Sequence, residues 1–347
     1  MAVGSSHRNV GFSAPPSPLQ HGYAFDPSYG YGLDRLLAVE PPPEPAGFAE
    51  FWRPRHARAL AVDPAPQLRP SAFARTGFRV WDLEYRSTDE FPIGGWLLEP
   101  EAGSPQRGLV AGHGYADIGP PNGPLPCDDA VYLFPCFRGL GRSRRPPISE
   151  NPAWHVLHHI EDPARYILGG CVDDLWTAVS ALLRLRPGLA DKVGYLGISF
   201  SGGIGALALP WDARIGRAHL NVPTFGHQPL RLTLPTTGSA AAVQAYAAHR
   251  GNVLETLGFY DAAVAARRIT QPVHVAAALF DPAVAPPGQF AIYNALPGAK
   301  RLFVLRAGHF DYPERAAQEK ELLAELGAFF DCDESRVPLL VEPAHRA

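Results

Sequence analysis

Two serines stand one residue apart in the stretch YLGISFSGGIGAL, where an apolar run meets a run of small residues. A serine exposed on a tight strand-to-helix turn can attack an ester, and small residues two positions before and after it are typical of that turn. Both Ser199 and Ser201 satisfy this spacing. We prefer Ser199, because the strand then ends at Ile198 and the helix opens with Phe200. From this stretch alone, the alternative that both serines only cap or turn a helix stays open.

A serine nucleophile needs a base, and the base needs an acid that fixes its tautomer and stabilises its charged ring. In α/β hydrolases the chain order is serine, acid, histidine. His309 directly follows the strand signal RLFVLRAG, and Asp281 ends the stretch VHVAAALFD. Because the carboxyl ends of parallel strands meet at one edge of a sheet, the sequence predicts the triad Ser199, Asp281 and His309.

Each of the two loop residues also has an ordinary interpretation, since an Asp before Pro is typical of a turn and a His after Gly is typical of a solvated loop. The nearest rivals are Asp311 and His274. Asp311 lies only two residues from His309 and would not easily reach it from the opposite side. His274 lies inside a strand pattern, which is typical of a packed residue.

The tetrahedral intermediate of ester cleavage needs hydrogen-bond donors for its oxyanion. In this class of enzyme one donor is the backbone N–H of the residue after the nucleophile, here Phe200, and the second comes from a loop after an early strand. The stretch GLVAGHGYADIG offers such a loop, and we select the backbone N–H of Tyr115. The alternative for HGY is a simple turn.

Strand and helix signals alternate along the chain, which predicts a mainly parallel sheet with helices on both faces and antiparallel strands at its start. The strand signals are FRVWDLEYRS, IGGWLLEP, GLVAGHG, AVYLFP, VGYLGI, RAHLNV, VHVAAALF and RLFVLRAG. The main helix signals are GFAEFWRPRHARALAV, CVDDLWTAVSALLRLR and RAAQEKELLAELGAFF. A long helical connection at about 223–271 is expected to roof the pocket as a lid-like insertion.

Composition excludes several classes of function. The 347 residues, 46% of them apolar, suffice for one large α/β domain or two ordinary ones. A formal net charge of −3 without a long block of like charge gives no electrostatic reason to expect nucleic acid or an anionic membrane as partner. Small neutral substrates fit better. The four cysteines are scattered and form no C-x-x-C pair, so we expect free thiols.

We expect no secretory signal at the N-terminus. The N-terminus lacks the apolar core of about 7 to 15 residues that a secretory signal needs, and no apolar stretch approaches the ~18 residues of a membrane span, so we expect a cytoplasmic protein. We expect disorder over 1–20, which is rich in Ser, Pro and Gly, a single hydrolase domain over 21–335 and a tail over 336–347.

Matching stretches between about Phe25 and Phe330 resemble the acetyl xylan esterase and cephalosporin C deacetylase group, carbohydrate esterase family seven. In chain order they are STDEFPIGGWLLEP, HGY, RGLG, IEDPARYILGGCVDDLW, DKVGYLGISFSGG, LNVPTFGH, VLETLGFYDAAVAARRI, DPAVAPPGQFAIYN and the GH before Phe310.

The resemblance implies an α/β-hydrolase fold and serine-dependent removal of small acyl groups, mostly acetyl, from sugars and cephalosporin-type alcohols. It implies no metal or other cofactor, a cytoplasmic location and a ring-shaped homohexamer. The positions that match the family's motifs are Ser199, Asp281 and His309 for the triad, the backbone of Tyr115 and Phe200 for the oxyanion, and Arg138 as an ion-paired organiser of the loops.

Four positions depart from the family pattern. Leu140, Phe200 and Phe310 are apolar where the family usually has a polar side chain, and Ser201 replaces a glycine. With three apolar replacements near the site, we expect the leaving-group preference to drift toward less polar esters than acetylated xylan.

The sequence therefore predicts a serine carboxylesterase that works through an acyl-enzyme. Two rival functions stay open: a serine peptidase or amidase on the same scaffold, because a triad alone does not separate esters from amides, and a catalytically silent hydrolase-like binding protein.

Overall fold

The computed structural model describes residues 19–116 and 118–332. The predicted disordered segment 1–20, apart from its last two residues, and the predicted tail over 336–347 lie outside the described residues. The predicted extent of the single domain and its insertion stays a prediction.

Within the described residues the chain forms one sheet of nine strands in the order β1-β2-β3-β5-β4-β6-β7-β8-β9. The strands β1 to β3 and β5 pair antiparallel, and the pairs from β5 through β4 to β9 are parallel. This is the mainly parallel sheet with an antiparallel start that the strand signals predict. The strands are β1 (Gln67–Pro70), β2 (Phe78–Arg86), β3 (Pro92–Pro100), β4 (Arg107–Ala111), β5 (Ala130–Pro135), β6 (Val193–Ile198), β7 (Ile215–Asn221), β8 (Val273–Ala278) and β9 (Lys300–Leu305).

The α-helices of the described residues are α1 (Leu33–Leu37), α2 (Phe48–Leu60), α3 (Pro152–His155), α4 (Ile167–Leu185), α5 (Phe200–Ala208), α6 (Gln228–Arg231), α7 (Ala240–Arg250), α8 (Leu254–Leu257), α9 (Ala262–Ala266), α10 (Pro286–Ala295) and α11 (Arg315–Phe329). The three main helix signals correspond to α2, α4 and α11. Helix α4 begins four residues before its signal, because the run ILGG is buried with the rest of the helix.

The sheet is covered on both faces. On one face, apolar side chains of α2, α4, α5, α9 and α10 form the larger core. On the other face, α11 packs Leu322, Leu326 and Phe329 against the strands. Strands buried on both sides read as nearly continuous apolar runs, which is why β4, β6 and β8 are recognisable in the sequence.

The insertion between β7 and β8 contains two kinds of element. Its helix α9 is buried throughout and belongs to the larger core. The three residues that precede Ala240, namely Thr237, Gly238 and Ser239, line the cavity at the sheet edge. The insertion therefore reaches the pocket through this turn and through Thr224, while helix α9 lies in the larger core.

Two of the four cysteines correct the expectation of free thiols. Cys127 and Cys332 form a disulfide with their Cα atoms 5.4 Å apart, whereas Cys136 and Cys171 are free and buried. The bonded pair is separated by 205 residues in the sequence. Sequence spacing carries no information about a contact at this range, so the prediction was wrong for this pair.

Candidate active site

Ser199 lies between β6 and α5 on a strained turn. Its backbone has φ 52° and ψ −109°, outside the regions that side chains favour, and such strain concentrates at functional sites. A Cβ added at Gly197, two residues earlier, would lie 2.7 Å from the carbonyl oxygen of Ser201, so glycine is required there. The turn brings the Ser199 hydroxyl to the carboxyl edge of the parallel strands.

Ser201, the alternative nucleophile, is fully buried and has a different task. Its hydroxyl accepts a hydrogen bond from the N–H of Ile198 at 2.9 Å and donates to the carbonyl of the same residue at 3.1 Å. Both contacts hold the end of β6 against the first turn of α5. Ser201 therefore stabilises the turn through hydrogen bonds to the backbone of Ile198.

The structure brings the three predicted triad residues together. His309 Nε2 lies 2.8 Å from Ser199 Oγ, and His309 Nδ1 lies 2.8 Å from Asp281 Oδ2. A carboxylate only accepts, so Nδ1 carries the proton, and Nε2 of the neutral ring accepts from the serine hydroxyl. This chain of hydrogen bonds allows Ser199 to pass its proton to His309.

The carboxylate of Asp281 is fully buried and accepts from four donors. Oδ1 accepts from the N–H groups of Ala283 and Val284, each at 2.9 Å. Oδ2 accepts from His309 and, at 3.0 Å, from Gln289 Nε2. A Cβ at Gly308 would lie 2.4 Å from Oδ2, which explains why glycine precedes the histidine.

The protonation of His309 follows from this pair. Burial acts to lower its pKa, but the charge of Asp281 and the hydrogen bond to it outweigh burial, so the pKa of His309 lies above its ordinary value of 6.5. The fold therefore stabilises the imidazolium that forms when the ring takes the serine proton.

The rivals for these roles are placed elsewhere. The side chain of Asp311 is 91% exposed and lies 3.9 Å from Arg315. His274 is buried in β8, with its Nδ1 3.0 Å from Nδ1 of His219 on the neighbouring strand. Neither arrangement supplies an acid or a base to Ser199.

The HGY loop follows β4 and lies beside the nucleophile. A Cβ at Gly114 would be 3.7 Å from the Cβ of Ser199. His113 shapes this loop, because its Nδ1 donates to the carbonyl of Gly114 at 2.6 Å and its Nε2 accepts from the N–H of Phe137 at 3.1 Å. The next residue along the loop is Tyr115, whose N–H is the predicted oxyanion donor.

Phe200 supplies the other predicted donor. It is the first residue of α5, so its N–H has no partner within the helix. Its side chain is fully buried and faces away from the cavity. The ring is surrounded by His113, Tyr115, Phe137, His155 and Phe225, with centroids between 4.3 and 6.3 Å away.

This placement changes the interpretation of the apolar departures. Leu140 and Phe200 are fully buried, and the ring of Phe310 packs at an angle against the rings of Phe280 and Tyr23. Among the described residues that line the cavity, none of the three occurs. Their apolar character therefore gives no reason to expect a shift of the leaving-group preference, and the mechanism we gave for that shift was wrong.

Sequence reasoning missed His155, which supports the HGY loop from α3. The Tyr115 hydroxyl donates to His155 Nδ1 at 3.0 Å, and His155 Nε2 donates to the backbone carbonyl of Arg138 at 3.0 Å. Burial lowers the pKa of His155 to about 4, so the ring is neutral and can do both. In the sequence His155 stands between the apolar residues Trp154 and Val156, a pattern that gives no signal of this role before the fold is known.

Arg138 is buried in an ion pair, as the resemblance implies. Its Nη2 lies 2.6 Å from Asp174 Oδ1 and also donates to the hydroxyls of Ser87 and Thr88. Burial acts against the charge, but the carboxylate of Asp174 outweighs it and raises the pKa of Arg138. The ion pair joins the loop after β5 to helix α4. The backbone carbonyl of Arg138 accepts the hydrogen bond from His155.

A cavity of about 720 Å³ opens at Ser199 and His309. Its walls combine apolar and small residues, and among the described residues Arg315 is the only Arg, Lys, Asp or Glu that lines it. The main apolar contributors are Trp96, Ile118, Phe134, Ile198, Val222 and Val284. This volume suits a small ester.

The family model for acetyl xylan esterase (AXE1) matches residues 33–123 and 146–324. The chain belongs to the acetyl xylan esterase family. The predicted family, the α/β-hydrolase fold and the class of enzyme, a serine carboxylesterase, are thereby confirmed. The stretch 124–145, which contains Arg138, lies outside the match, so the proposed role of Arg138 depends on its contacts.

Solved structures with the same fold include two acetyl xylan esterases. The enzyme from Paenibacillus sp. R4 is 22% identical, with a TM-score of 0.72 over 85% of this chain and 99% of its own. Acetyl xylan esterase 1 from Thermoanaerobacterium sp. JW/SL YS485 is 19% identical, with a TM-score of 0.71 over 87% and 99%. An acylaminoacyl peptidase from Pyrococcus horikoshii is 14% identical, with a TM-score of 0.54 over 74% of this chain and 42% of its own.

The described residues contain neither a candidate metal site nor a candidate membrane span. No cluster of three or more histidine, cysteine or acidic side chains that could hold a metal ion occurs in 19–116 and 118–332. In the same residues, no helix combines the length and apolarity needed to cross a membrane.

Proposed function

We propose that the enzyme removes acetyl or similarly short acyl groups from small esters, including acetylated sugars, with Ser199 as nucleophile, His309 as base and Asp281 as its acid. The observation that supports this most directly is the pair of 2.8 Å contacts that join the three side chains at the mouth of the cavity.

The reaction has two halves. Ser199 Oγ attacks the carbonyl carbon while its proton passes to His309 Nε2, and the resulting oxyanion accepts from the N–H groups of Tyr115 and Phe200. The bond to the alcohol oxygen then breaks, and the imidazolium returns its proton to the alcohol. Water next gives a proton to His309 and attacks the acyl carbon. The bond between that carbon and Ser199 Oγ then breaks, the imidazolium returns its proton to Oγ, and the carboxylic acid leaves.

Labelling with a fluorophosphonate tests the assignment of the nucleophile. The wild-type protein should be labelled and should hydrolyse p-nitrophenyl acetate, and Ser199→Ala should do neither. The matched control is Ser201→Ala, which keeps the nucleophile. Labelling that persists in Ser199→Ala and disappears in Ser201→Ala would identify Ser201 as the nucleophile and contradict the proposal. An unlabelled wild type would support the alternative of a catalytically silent binding protein.

A substrate panel tests the ester class. We expect hydrolysis of acetylated sugars and simple aryl acetates, and no hydrolysis of aminoacyl anilides, which a peptidase would cleave. Acetylated cephalosporins belong in the panel, because deacetylation of such alcohols is part of the proposal.

Trp154 offers a way to separate sugars from other alcohols. Its side chain is 66% exposed, two residues after Pro152, which lines the cavity. An exposed indole presents an apolar face to a sugar ring. Trp154→Ala should therefore raise KM for acetylated sugars and leave p-nitrophenyl acetate unchanged.

We also propose a homohexamer in the cytoplasm, on the family resemblance. Light scattering should give a mass six times the 37.5 kDa of one chain. The Cys127–Cys332 disulfide favours an oxidising compartment instead. Titration of free thiols in protein isolated from its own cells distinguishes the two locations. A cytoplasmic protein should show four free cysteine thiols, whereas a protein from an oxidising compartment should show two.

A further inference from the structure

Gln289 is a fully buried glutamine on the first turn of α10, eight residues after the proposed acid. Its side-chain amide makes three hydrogen bonds. Oε1 accepts from the N–H of Ala278 at 2.9 Å, and Nε2 donates to Asp281 Oδ2 at 3.0 Å and to the carbonyl of Val284 at 2.7 Å. The amide therefore connects the end of β8, the acid and the loop that follows it.

The orientation of this amide is fixed by its partners. Only Oε1 can face the N–H of Ala278, and only the two hydrogens on Nε2 can face a carboxylate and a carbonyl. A rotated amide would place two donors or two acceptors against each other. One arrangement is thus strongly favoured, and it directs a donor at Asp281.

The atom that Gln289 contacts is the one that holds the base. Oδ2 of Asp281 is shared between Nε2 of Gln289 and Nδ1 of His309, while Oδ1 is held by two backbone N–H groups. Without the glutamine, Oδ2 would keep the histidine as its hydrogen-bond partner and would be freer to rotate out of line.

We propose that Gln289 is a positioning residue of this esterase, which aligns Oδ2 of Asp281 with His309 and draws part of the carboxylate's charge away from the ring. The proposal depends on the proposed function, because it requires Asp281 and His309 to act as acid and base. A carboxylate that loses a donor becomes more basic and holds an imidazolium more strongly.

Other titratable groups lie near the pair. The ring of His21 is 5.3 Å from that of Phe280, the residue before Asp281. The N-terminal segment brings Tyr29 and Asp26 toward Asp281, and burial together with the charges of the two carboxylates raises the pKa of Tyr29, so its hydroxyl stays protonated at neutral pH. On the solvent side are the exposed Asp311 and Arg315. These groups are the same in every variant below, so a difference between variants reports on position 289.

The test is the pH profile of kcat/KM for p-nitrophenyl acetate. Gln289→Met keeps the length of the side chain and removes both donors, and we expect its acidic limb to move upward by about 0.5 to 1 pH unit with kcat about 10-fold lower. The matched control is Gln228→Met. Gln228 is also fully buried, and it donates to the carbonyl of Tyr260, away from the triad.

A second variant covers the case in which Gln289→Met fails to fold. Gln289→Glu keeps an acceptor for Ala278 and places a second carboxyl group against Asp281. We expect its kcat/KM to fall with rising pH where the wild type is level, because two adjacent carboxylates repel each other once both are ionised.

The outcomes separate clearly. A shifted limb in Gln289→Met and an unshifted one in Gln228→Met support the proposal, as does the falling profile of Gln289→Glu. Profiles of both Gln289 variants that coincide with that of an active wild type would overturn it and leave the proposed function standing. A wild type that neither hydrolyses the ester nor is labelled at Ser199 would overturn both.

Discussion

Histidines on opposite sides of Ser199 are held in contrasting ways. On the acid side, His309 faces a buried carboxylate, and its pKa lies above 6.5. On the HGY side, His113 and His155 contact backbone groups and a tyrosine hydroxyl, and burial lowers the pKa of each to about 4.

The difference shows what converts a histidine into a base. His155 is fully buried and His113 is half-buried, whereas the side chain of His309 is 27% exposed. Only His309 has a carboxylate partner that compensates for the loss of water around its charge. The other two remain neutral and serve as rigid connectors, each donating at one nitrogen and accepting at the other. The carboxylate partner therefore distinguishes the proposed base from the two structural histidines.

Replacement of His309 should have the largest effect. His309→Gln should lower kcat/KM for p-nitrophenyl acetate by about 10⁴-fold or more, because the serine loses its base. The matched control is His249→Gln, on an exposed face of α7. If His309→Gln loses less than tenfold in kcat/KM while circular dichroism shows an intact fold, His309 is not the base and does not differ in role from His113 and His155.

The HGY side depends on the buried ion pair beneath it. Arg138→Met should lower the free energy of unfolding by about 3 to 5 kcal/mol, because Asp174 is left charged without its partner. The control is Arg144→Met, whose exposed pair with Glu150 should contribute less than about 1 kcal/mol. Denaturant titration measures both, and equal losses would contradict the assignment.

His155→Phe should have a moderate effect and a different signature. It removes the acceptor for the Tyr115 hydroxyl and the donor to Arg138, so we expect about a 10-fold lower kcat from a looser oxyanion loop. The acidic limb of the pH profile should not move, since His309 keeps its partners. A shifted limb would mean that His155 takes part in the proton transfer.

The smallest expected effect is a shift in the acidic limb of the wild-type pH profile, caused by the raised pKa of His309. The base must be neutral to accept a proton, so kcat/KM should fall as the pH decreases through the pKa of His309, which is raised. The apparent pKa of the acidic limb should therefore lie above 6.5, while His113 and His155 titrate only near 4. A limb at or below 6.5 would show that Asp281 does not compensate for burial.

Much of this arrangement is visible in the sequence because it is local. Strand β6 ends directly before Ser199, and β8 and β9 end at Ala278 and Leu305, shortly before Asp281 and His309. The strand signals alone therefore predict that these three residues lie near one sheet edge. The preference for Ser199 over Ser201 also follows from where one strand ends.

The parts that were missed depend on contacts between distant segments. Strand β1 is short and mostly exposed, so it has no apolar run to mark it. His155 and Arg138 meet only after folding, as do Cys127 and Cys332. Gln289 had a weak signal, since a lone glutamine within the apolar stretch of α10 needs a buried partner, but its partner could not be named from spacing.

The inward orientation of Phe200 bears on how relatives should be sought. At that position only the backbone amide faces the reaction, so the identity of the side chain is free to vary with its aromatic neighbours. A motif that demanded glutamine after the nucleophile would pass over this chain, whereas one that recorded the glycine at 197 and the spacing of the turn would retrieve it.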